Sequence, residues 1–514
     1  MAMWAKSGIN YLKQQMIVLL SATSVYRLFR ISAAAIGICL LTLPGIAPAQ
    51  SGMGGIFRAG ASTSNITPAI GTSVNGNFRD DSVKNIHDET HVRCIVLDDG
   101  NTQLVIAVAD LCMVSRTTLD KAKRRASAVT LIPAANMLIS ATHTHSGGTA
   151  CSVFQSDPDP DYLRFLEDRI ADAVIIAYNN LAPARIGWGV GSEPGQVFNR
   201  RWKMKAGTPL INPFGNTDKV KMNPGIGNPN LLEPAGPTDP VISVVSIQSL
   251  DGTPVALLAN YSLHYVGGVN NGDVSADYYG MFAGRMNQLL NTDTQQKPFI
   301  AIMSNGTSGD VNNINFGAAS SSQVPPYQQM QKVANIVAAE AYKVVQQIRY
   351  RNWVSLSVKQ KQIELMVRKP DKAELARAKT ILSKANKPVL TSVEALYARE
   401  TVLINDYPNQ VSLILQAMRI GDLAITAIPC EVFAETGLEI KTESPFKPTF
   451  TISLANGYNG YLPTPAQHQL GGYETWRARS SYLETDASMK ITQSLFEMLG
   501  LLNKEIQPVN ALEK

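Results

Sequence analysis

The chain has 514 residues, 45% hydrophobic and 17% charged, with 46 basic residues against 41 acidic ones and a net charge of +5. These proportions are those of a globular protein and exclude a disordered chain. Four of the basic residues and no acidic one fall in the first 49 positions; without that segment the net charge is +1, leaving no excess of Lys and Arg to attract a nucleic acid.

Arg27 and Arg30 precede an apolar stretch from Ile31 to Ile46, which closes on the small-x-small pattern Ala47-Pro48-Ala49. That order is a secretory signal with a long front end, with cleavage expected after Ala49. Pro44, Pro48 and the short run argue against an uncleaved membrane anchor. The product is expected to be secreted or periplasmic, with residues 50–514 as a single domain ending in a short helical tail. Cys94, Cys112, Cys151 and Cys430 have no CxxC spacing, so thiolate zinc motifs are absent. All but Cys151 sit in apolar runs, where a buried free thiol is the commoner outcome than a disulfide.

In chain order, the first unit is a hairpin from Cys94 to Asp110, two β-rich runs about the turn Asp99-Gly100. The run "NMLISAT" follows and leads into "HTHSGG". A Pro-, Gly- and Asn-rich passage from Gly207 to Pro240 reads as a long loop, of the kind that covers sites in compact domains. Val241 opens a second hairpin, which turns at Asp251-Gly252 and delivers His264. Another apolar run, "KPFIAIMSNGTSGDVNN", ends in Gly309-Asp310 with no hairpin before it. Residues 325–349 carry apolar positions at helical spacing, and residues 370–400, rich in Ala, Lys and Glu, read as a pair of solvated surface helices. The third hairpin, "VSLILQAMRIGDLAITAIPCEVF", turns at Gly421-Asp422 and delivers Cys430-Glu431. This pattern predicts a mixed α/β fold, a central pair of β-sheets flanked by helices, with the functional site at strand ends.

Of six histidines, His143 and His145 stand one residue apart. Alternate side chains of an extended strand point the same way, so a His-x-His pair sends two imidazoles to one side. Alone, the pair is more readily structural than functional. Its context points further: His264 ends a strand before Gly267-Gly268 as the pair ends one before Gly147-Gly148, and Glu431 ends a third. Two imidazoles and a carboxylate from different strand ends, with a position open for water, suit a catalytic zinc ion. His87, His91 and Asp110 read as structural, and His468, in a loop, is given no role.

The blocks "NITPAIGTSVNG", "ISATHTHSGG", "HYVGGVNNGDVSADYYG", "NGTSGDVNN", "IPCEVFAETG" and "NGYNGYLPT...GGYE", in that order, resemble the neutral/alkaline, non-lysosomal ceramidase family. The likeness runs from about Gly60 to about Glu474, and its strongest markers are THTHSG and the N-x-Y-x-x-Y motif with a Tyr twelve residues later. The resemblance implies a zinc-dependent hydrolase of amide bonds in N-acyl lipids, with one zinc ion, converting ceramide to a fatty acid and a sphingoid base. It implies His143, His264, Glu431 and Tyr461 as zinc ligands. His145 matches the residue that bonds the substrate carbonyl or its developing oxyanion, and Arg200 and Tyr473 match catalytic, substrate-contacting positions beside the metal. Such an ion acidifies water and polarises a carbonyl, and an imidazole beside it can donate to the tetrahedral oxygen. Asp277 and Asp310 read as carboxylates that fix the loops behind the ligands. The implied partner is a small or lipid substrate with an acyl amide, and a transient contact with a membrane surface is compatible with it.

Two departures bear on substrate. Asn312 stands where the family has a serine, so substrate binding at that point passes to an amide that both donates and accepts. Only 40 residues follow Glu474, too few for the immunoglobulin-like domain that the resemblance implies. The alternatives are a zinc hydrolase of another acyl amide or ester, a lipid-binding relative without turnover, and a two-metal phosphoester hydrolase drawing on Asp110, Asp277 and Asp310.

Overall fold

The computed structural model describes residues 55–320, 324–385 and 387–506; the expected leader, 1–49, lies outside them. The larger sheet is built from β1 (Arg58–Asn65), β2 (His91–Asp98), β3 (Gln103–Ala109), β4 (Met137–Ala141), β5 (Ala182–Ser192), β6 (Val241–Ser249), β7 (Pro254–Tyr261) and β8 (Ile300–Asn305). Their spatial order is β8-β7-β6-β5-β1-β2-β3-β4. A second sheet runs β9-β10-β11-β12, from Leu356–Met366, Gln410–Ile420, Leu423–Ala427 and Thr449–Ile452. Ile95, Ile106 and Leu258 of the first sheet share one core with Met418, Ile425 and Phe450 of the second, so the sheets pack face to face.

Helices close both outer faces. The helices α1 (Arg116–Thr130) and α2 (Pro160–Asn179) cover one half of the larger sheet, α3 (Asp277–Leu289) and α4 (Gln328–Val345) the other. Beyond the pair α5 (Lys372–Ser383) and α6 (Val393–Asn405), α7 (Ala434–Glu443) and α9 (Ala487–Lys504), with the short α8 (Pro465–Leu470) between them in sequence, complete the set; α7 and α9 cover the second sheet through Ile440, Ile491 and Leu495. Strands covered on both faces need continuous apolar runs, and every residue of Leu104–Ala109, β4 and β11 is buried. Each Leu or Ile so enclosed stabilises by roughly 1.5–3 kcal/mol. The edge strand β9, "LSVKQKQIELM", instead buries only Leu356 and Leu365, and its lysines discourage pairing with another chain.

The three hairpins share more than their turns. Each is followed by a helix and then by a strand that lies parallel to the hairpin's second arm: β2-β3-α1-β4, β6-β7-α3-β8 and β10-β11-α7-β12. The apolar run before Gly309-Asp310 is the parallel strand of the second unit, which is why no hairpin precedes it. Parallel neighbours end at the same side of a sheet, and ligand sites form outside those carboxyl ends. The units are laced together there: Asn305 Nδ2 donates to Thr142 O at 3.1 Å, Ser453 N to Asn305 O at 3.0 Å, and Gly309 N to Val432 O at 2.8 Å.

Three local expectations change. The strand ends at Ala141, two residues before the His-x-His pair, and His143 takes φ +77°, so strand alternation does not aim these imidazoles. The 207–240 passage contains strands Val220–Met222 and Leu231–Pro234, which flank Arg201–Met204 in a small sheet of its own. The helix α6 is not solvated: Leu396, Tyr397, Glu400 and Ile404 are buried, because composition alone does not reveal which face meets a partner. The four cysteines among the described residues are free thiols, and no described helix is long and apolar enough to cross a membrane.

Candidate active site

His143 and His145 follow β4, His264 follows β7, Glu431 follows β11, and Tyr458 and Tyr461 follow β12. His143 is the hub. Its Nε2 lies 3.1 Å from His264 Nε2, 3.2 Å from His145 Nε2 and 3.2 Å from Glu431 Oε2. On the far side of each ring a carbonyl fixes the tautomer: Cys112 O is 2.7 Å from His143 Nδ1, and Ser308 O is 3.1 Å from His264 Nδ1. Both Nε2 atoms therefore present lone pairs to the centre. His145 differs, since its Nδ1 is buried without a hydrogen-bond partner among the described residues; its ring stacks on Tyr265 at 3.7 Å and packs against Gly76, where a Cβ would strike it.

Glu431 and Tyr461 are register partners in a two-residue parallel bridge, which brings both side chains to one side. Tyr458, which the sequence reading passed over, donates its hydroxyl to Glu431 Oε1 at 2.9 Å. The other carboxylate oxygen, Oε2, is buried and accepts no hydrogen bond among the described residues. Arg200 reaches across the centre: Nη2 donates to Tyr461 Oη at 3.0 Å and to Gly309 O at 2.9 Å, and Nη1 lies 3.3 Å from His264 Nε2. Glu474, also missed, takes Arg200 Nε at 2.9 Å on one oxygen and Arg201 Nη1 at 2.6 Å on the other. Both were hidden because their partners lie 27 residues away for Tyr458 and more than 270 for Glu474, beyond any local spacing that could carry a signal.

Burial, followed by the Arg200 charge and the other imidazoles, holds His264 well below the ordinary histidine range. Burial, then His143 and Arg200, does the same for His145. His143 moves up: burial opposes its charge, but Cys112 and Glu431 outweigh that. Two of the three imidazoles are thus held neutral, and only the one that faces the Glu431 carboxylate is favoured as a cation in the absence of an ion.

The other expected residues fall into two groups. Tyr473 lines the cleft over the cluster and packs edge-on against Tyr461, ring centroids 5.8 Å apart. Asp277 accepts from Val266 N and Gly267 N and so fixes the loop after His264, while Asp310 accepts from Ala434 N and Asn199 Nδ2 behind the site. Burial, only partly offset by these bonds, pushes both carboxyls up to about 6. Asn312 is not brought to the cluster; its amide donates to Asn223 Oδ1 at 2.9 Å and accepts from Ile314 N. Asp110 pairs with Arg93, His91 lies near Glu89, and His87 stacks on Tyr327. His468 stands on α8 rather than in a loop.

The donor set fits a zinc ion: imidazole nitrogens, a buried carboxylate oxygen without a proton donor, and a phenol. Ligands of a tetrahedral zinc stand about 3.3 Å apart, close to the 3.1 and 3.2 Å between these atoms. Residues 57–336, more than half of the chain, match the family model described as neutral/alkaline non-lysosomal ceramidase, N-terminal. The chain belongs to this family. Its fold is similar to that of the neutral ceramidase from Pseudomonas aeruginosa, 18% identical, with a TM-score of 0.64 over 87% of this chain and 75% of that one. It is also similar to a ceramidase complexed with C2, 17% identical, with a TM-score of 0.65 and the same coverage. At such identity the structural likeness is one of fold. The family match contains His143, His145, Arg200 and His264; Glu431, Tyr461 and Tyr473 lie beyond it, brought to the same place by the third unit. The protein is a ceramidase-like hydrolase.

Proposed function

We propose that this ceramidase-family protein is a secreted, zinc-dependent amidohydrolase that cleaves the amide of an N-acyl lipid into a fatty acid and an amine, ceramide being the family's model substrate. The observation that carries the reading is the buried convergence of His143, His264 and Glu431 on one point. His143, His264, Glu431 and Tyr461 would hold one zinc ion, which when bound supplies a Lewis acid for the carbonyl and brings the pKa of water toward neutrality. Carbonyls 112 and 308 keep the two ligand imidazoles aimed, and Tyr458 and Arg200 hold Glu431 and Tyr461.

His145 takes a different role: its Nδ1 has no well-aligned carbonyl like those that fix His143 and His264, so the neutral ring can carry its proton on Nε2 and donate it in a hydrogen bond to the oxyanion of the tetrahedral intermediate. Arg200, its charge anchored by Glu474, adds positive potential beside that oxygen, and Tyr473 contacts the substrate from the cleft wall. The oxygen of water adds to the acyl carbon, the C–N bond breaks, and the amine leaves with the proton that water gave up. Residues 50–514 act as one catalytic domain after removal of the leader near Ala49. The commitment of Asn312 to Asn223 favours an acyl amide other than natural ceramide, since the amide is not turned to the cleft.

Purified protein is expected to release fatty acid from at least one of a panel of N-acyl sphingosines, N-acyl ethanolamines and N-acyl amino acids, to stop on exhaustive chelation and to resume with zinc. Turnover that survives both chelation and His143→Ala overturns the proposal.

A further inference from the structure

Among the three imidazoles of the cluster, His145 alone lacks an aligned carbonyl to hold it. Cys112 O and Ser308 O fix the rings of His143 and His264 through their Nδ1 atoms, whereas His145 Nδ1 is buried with no hydrogen-bond partner among the described residues. The torsion that turns an imidazole about its Cβ–Cγ bond is broad. A ring that must keep Nε2 on one oxygen therefore needs another restraint, and the structure supplies it by packing.

Two groups close on the ring. The Gly76 backbone, at φ +114°, meets it so closely that a Cβ there would lie 2.6 Å from His145 Cγ and 2.7 Å from Nδ1. Tyr265 covers a face: the ring centroids are 3.7 Å apart and the planes 16° from parallel. His143, by contrast, meets the ring edge-on, at 4.7 Å and 88°. Tyr265 directly follows His264, and the loop that it opens is pinned, since Asp277 accepts from Val266 N at 3.0 Å and from Gly267 N at 2.8 Å. Gly267, at φ +74°, folds back over the phenol ring, and a Cβ there would come within 3.0 Å of Tyr265 Cε2. Glycine permits both the backbone angle and the approach. One short loop thus brings an imidazole to the centre of the cluster and, with its next residue, a flat support for His145.

We propose that Tyr265 is a positioning residue, whose ring, stacked on His145, keeps Nε2 directed at the oxygen that gains charge during amide cleavage. The inference rests on the hydrolase reading above. The restraint comes from the flat ring and not from the hydroxyl, so phenylalanine should replace tyrosine and a side chain without a flat face should not. His264 keeps its own bond to Ser308 O, so loss of the Tyr265 ring should leave the ion in place.

The test compares wild type, Tyr265→Phe and Tyr265→Leu by two readouts. In protein carrying isotope-labelled histidine, the His145 Hε1 resonance, assigned by its loss in His145→Ala, should lie upfield in wild type and Tyr265→Phe and move downfield in Tyr265→Leu, whether or not zinc is bound. In the zinc-loaded enzymes, Tyr265→Leu should lower kcat by about 10–100-fold with KM within about twofold, while Tyr265→Phe stays within about threefold of wild type. Tyr265→Met, unbranched and flexible, serves where the leucine variant does not fold. A folded Tyr265→Leu protein with wild-type kcat, or with an unmoved resonance, overturns the proposal alone. A phenylalanine variant as slow as the leucine one also overturns it, because the hydroxyl is then the working group; so does loss of zinc from folded Tyr265→Leu, because the ring then supports His264. No turnover by zinc-loaded wild type on any acyl amide overturns the hydrolase reading and this proposal with it.

Discussion

Glu474 pairs with two guanidiniums at once, and the strength of that clamp decides whether Arg200 faces the histidine cluster or turns away. Arg201 and Arg200 hold its carboxyl below the ordinary range although burial pushes the other way. Glu474→Gln leaves both arginines buried without the carboxylate they share, at a cost of about 3–5 kcal/mol; a thermal melt should show that loss, with activity falling alongside. Tyr458→Phe is milder: Glu431 loses one hydrogen bond, and zinc affinity by competition with a chelator should weaken by about 10–100-fold. At this scale legibility followed rarity. His143, His264 and Glu431 could be read because few histidines and strand-end carboxylates exist to choose among, whereas Glu474, Tyr458 and the carbonyl of Cys112 gain meaning only from partners distant in sequence. The imidazoles of His143 and His145 do converge, but through a positive φ at His143 rather than through strand alternation.

The loops beyond the parallel strands carry the site, and their conformations are pinned at few points. Gly460 has φ +81°, and a Cβ there would lie 2.6 Å from the Ser480 backbone. Gly460→Ala should displace Tyr461 and lower stability by about 1–3 kcal/mol or more, read as a drop in melting temperature together with weaker zinc binding. On α1, Lys123 is 2% exposed and donates to Asn456 Oδ1 at 2.6 Å, joining that helix to the tyrosine loop. Burial draws its ammonium down to about 8 from 10.5, with Asp120 opposing and Arg116 assisting. Above pH 8 the folded chain gives up a proton that the unfolded chain keeps to about 10.5, so stability should rise with pH across that window, by up to about 3 kcal/mol. Denaturant titrations of wild type and Lys123→Met should show the rise in the first only. The hairpins and α4 were readable from turn residues and period, while the burial of α6 was not, because its Ala- and Glu-rich sequence looks alike whether it faces water or Glu400 faces Arg479.

At the scale of the molecule, three hairpin–helix–strand units meet at one end, and the cluster takes its members from all three. The sequence showed the three hairpins, but a parallel partner arriving after a helix leaves no local mark, so the repetition emerges only in space. An ion held by His143, His264, Glu431 and Tyr461 would tie the units together and stabilise the folded state by mass action, by about 4 kcal/mol at a thousandfold excess over Kd. Zinc should raise the melting temperature of the wild type and a chelator should lower it, with Glu431→Ala indifferent to both. The division of labour between the paired histidines is met most directly by the zinc content, per mole of folded protein, of wild type, His143→Ala and His145→Ala. About one zinc is expected in the wild type and in His145→Ala, which should lack turnover, and almost none in His143→Ala; a His143→Ala protein that keeps its zinc, or a His145→Ala protein that loses it, would refute this assignment.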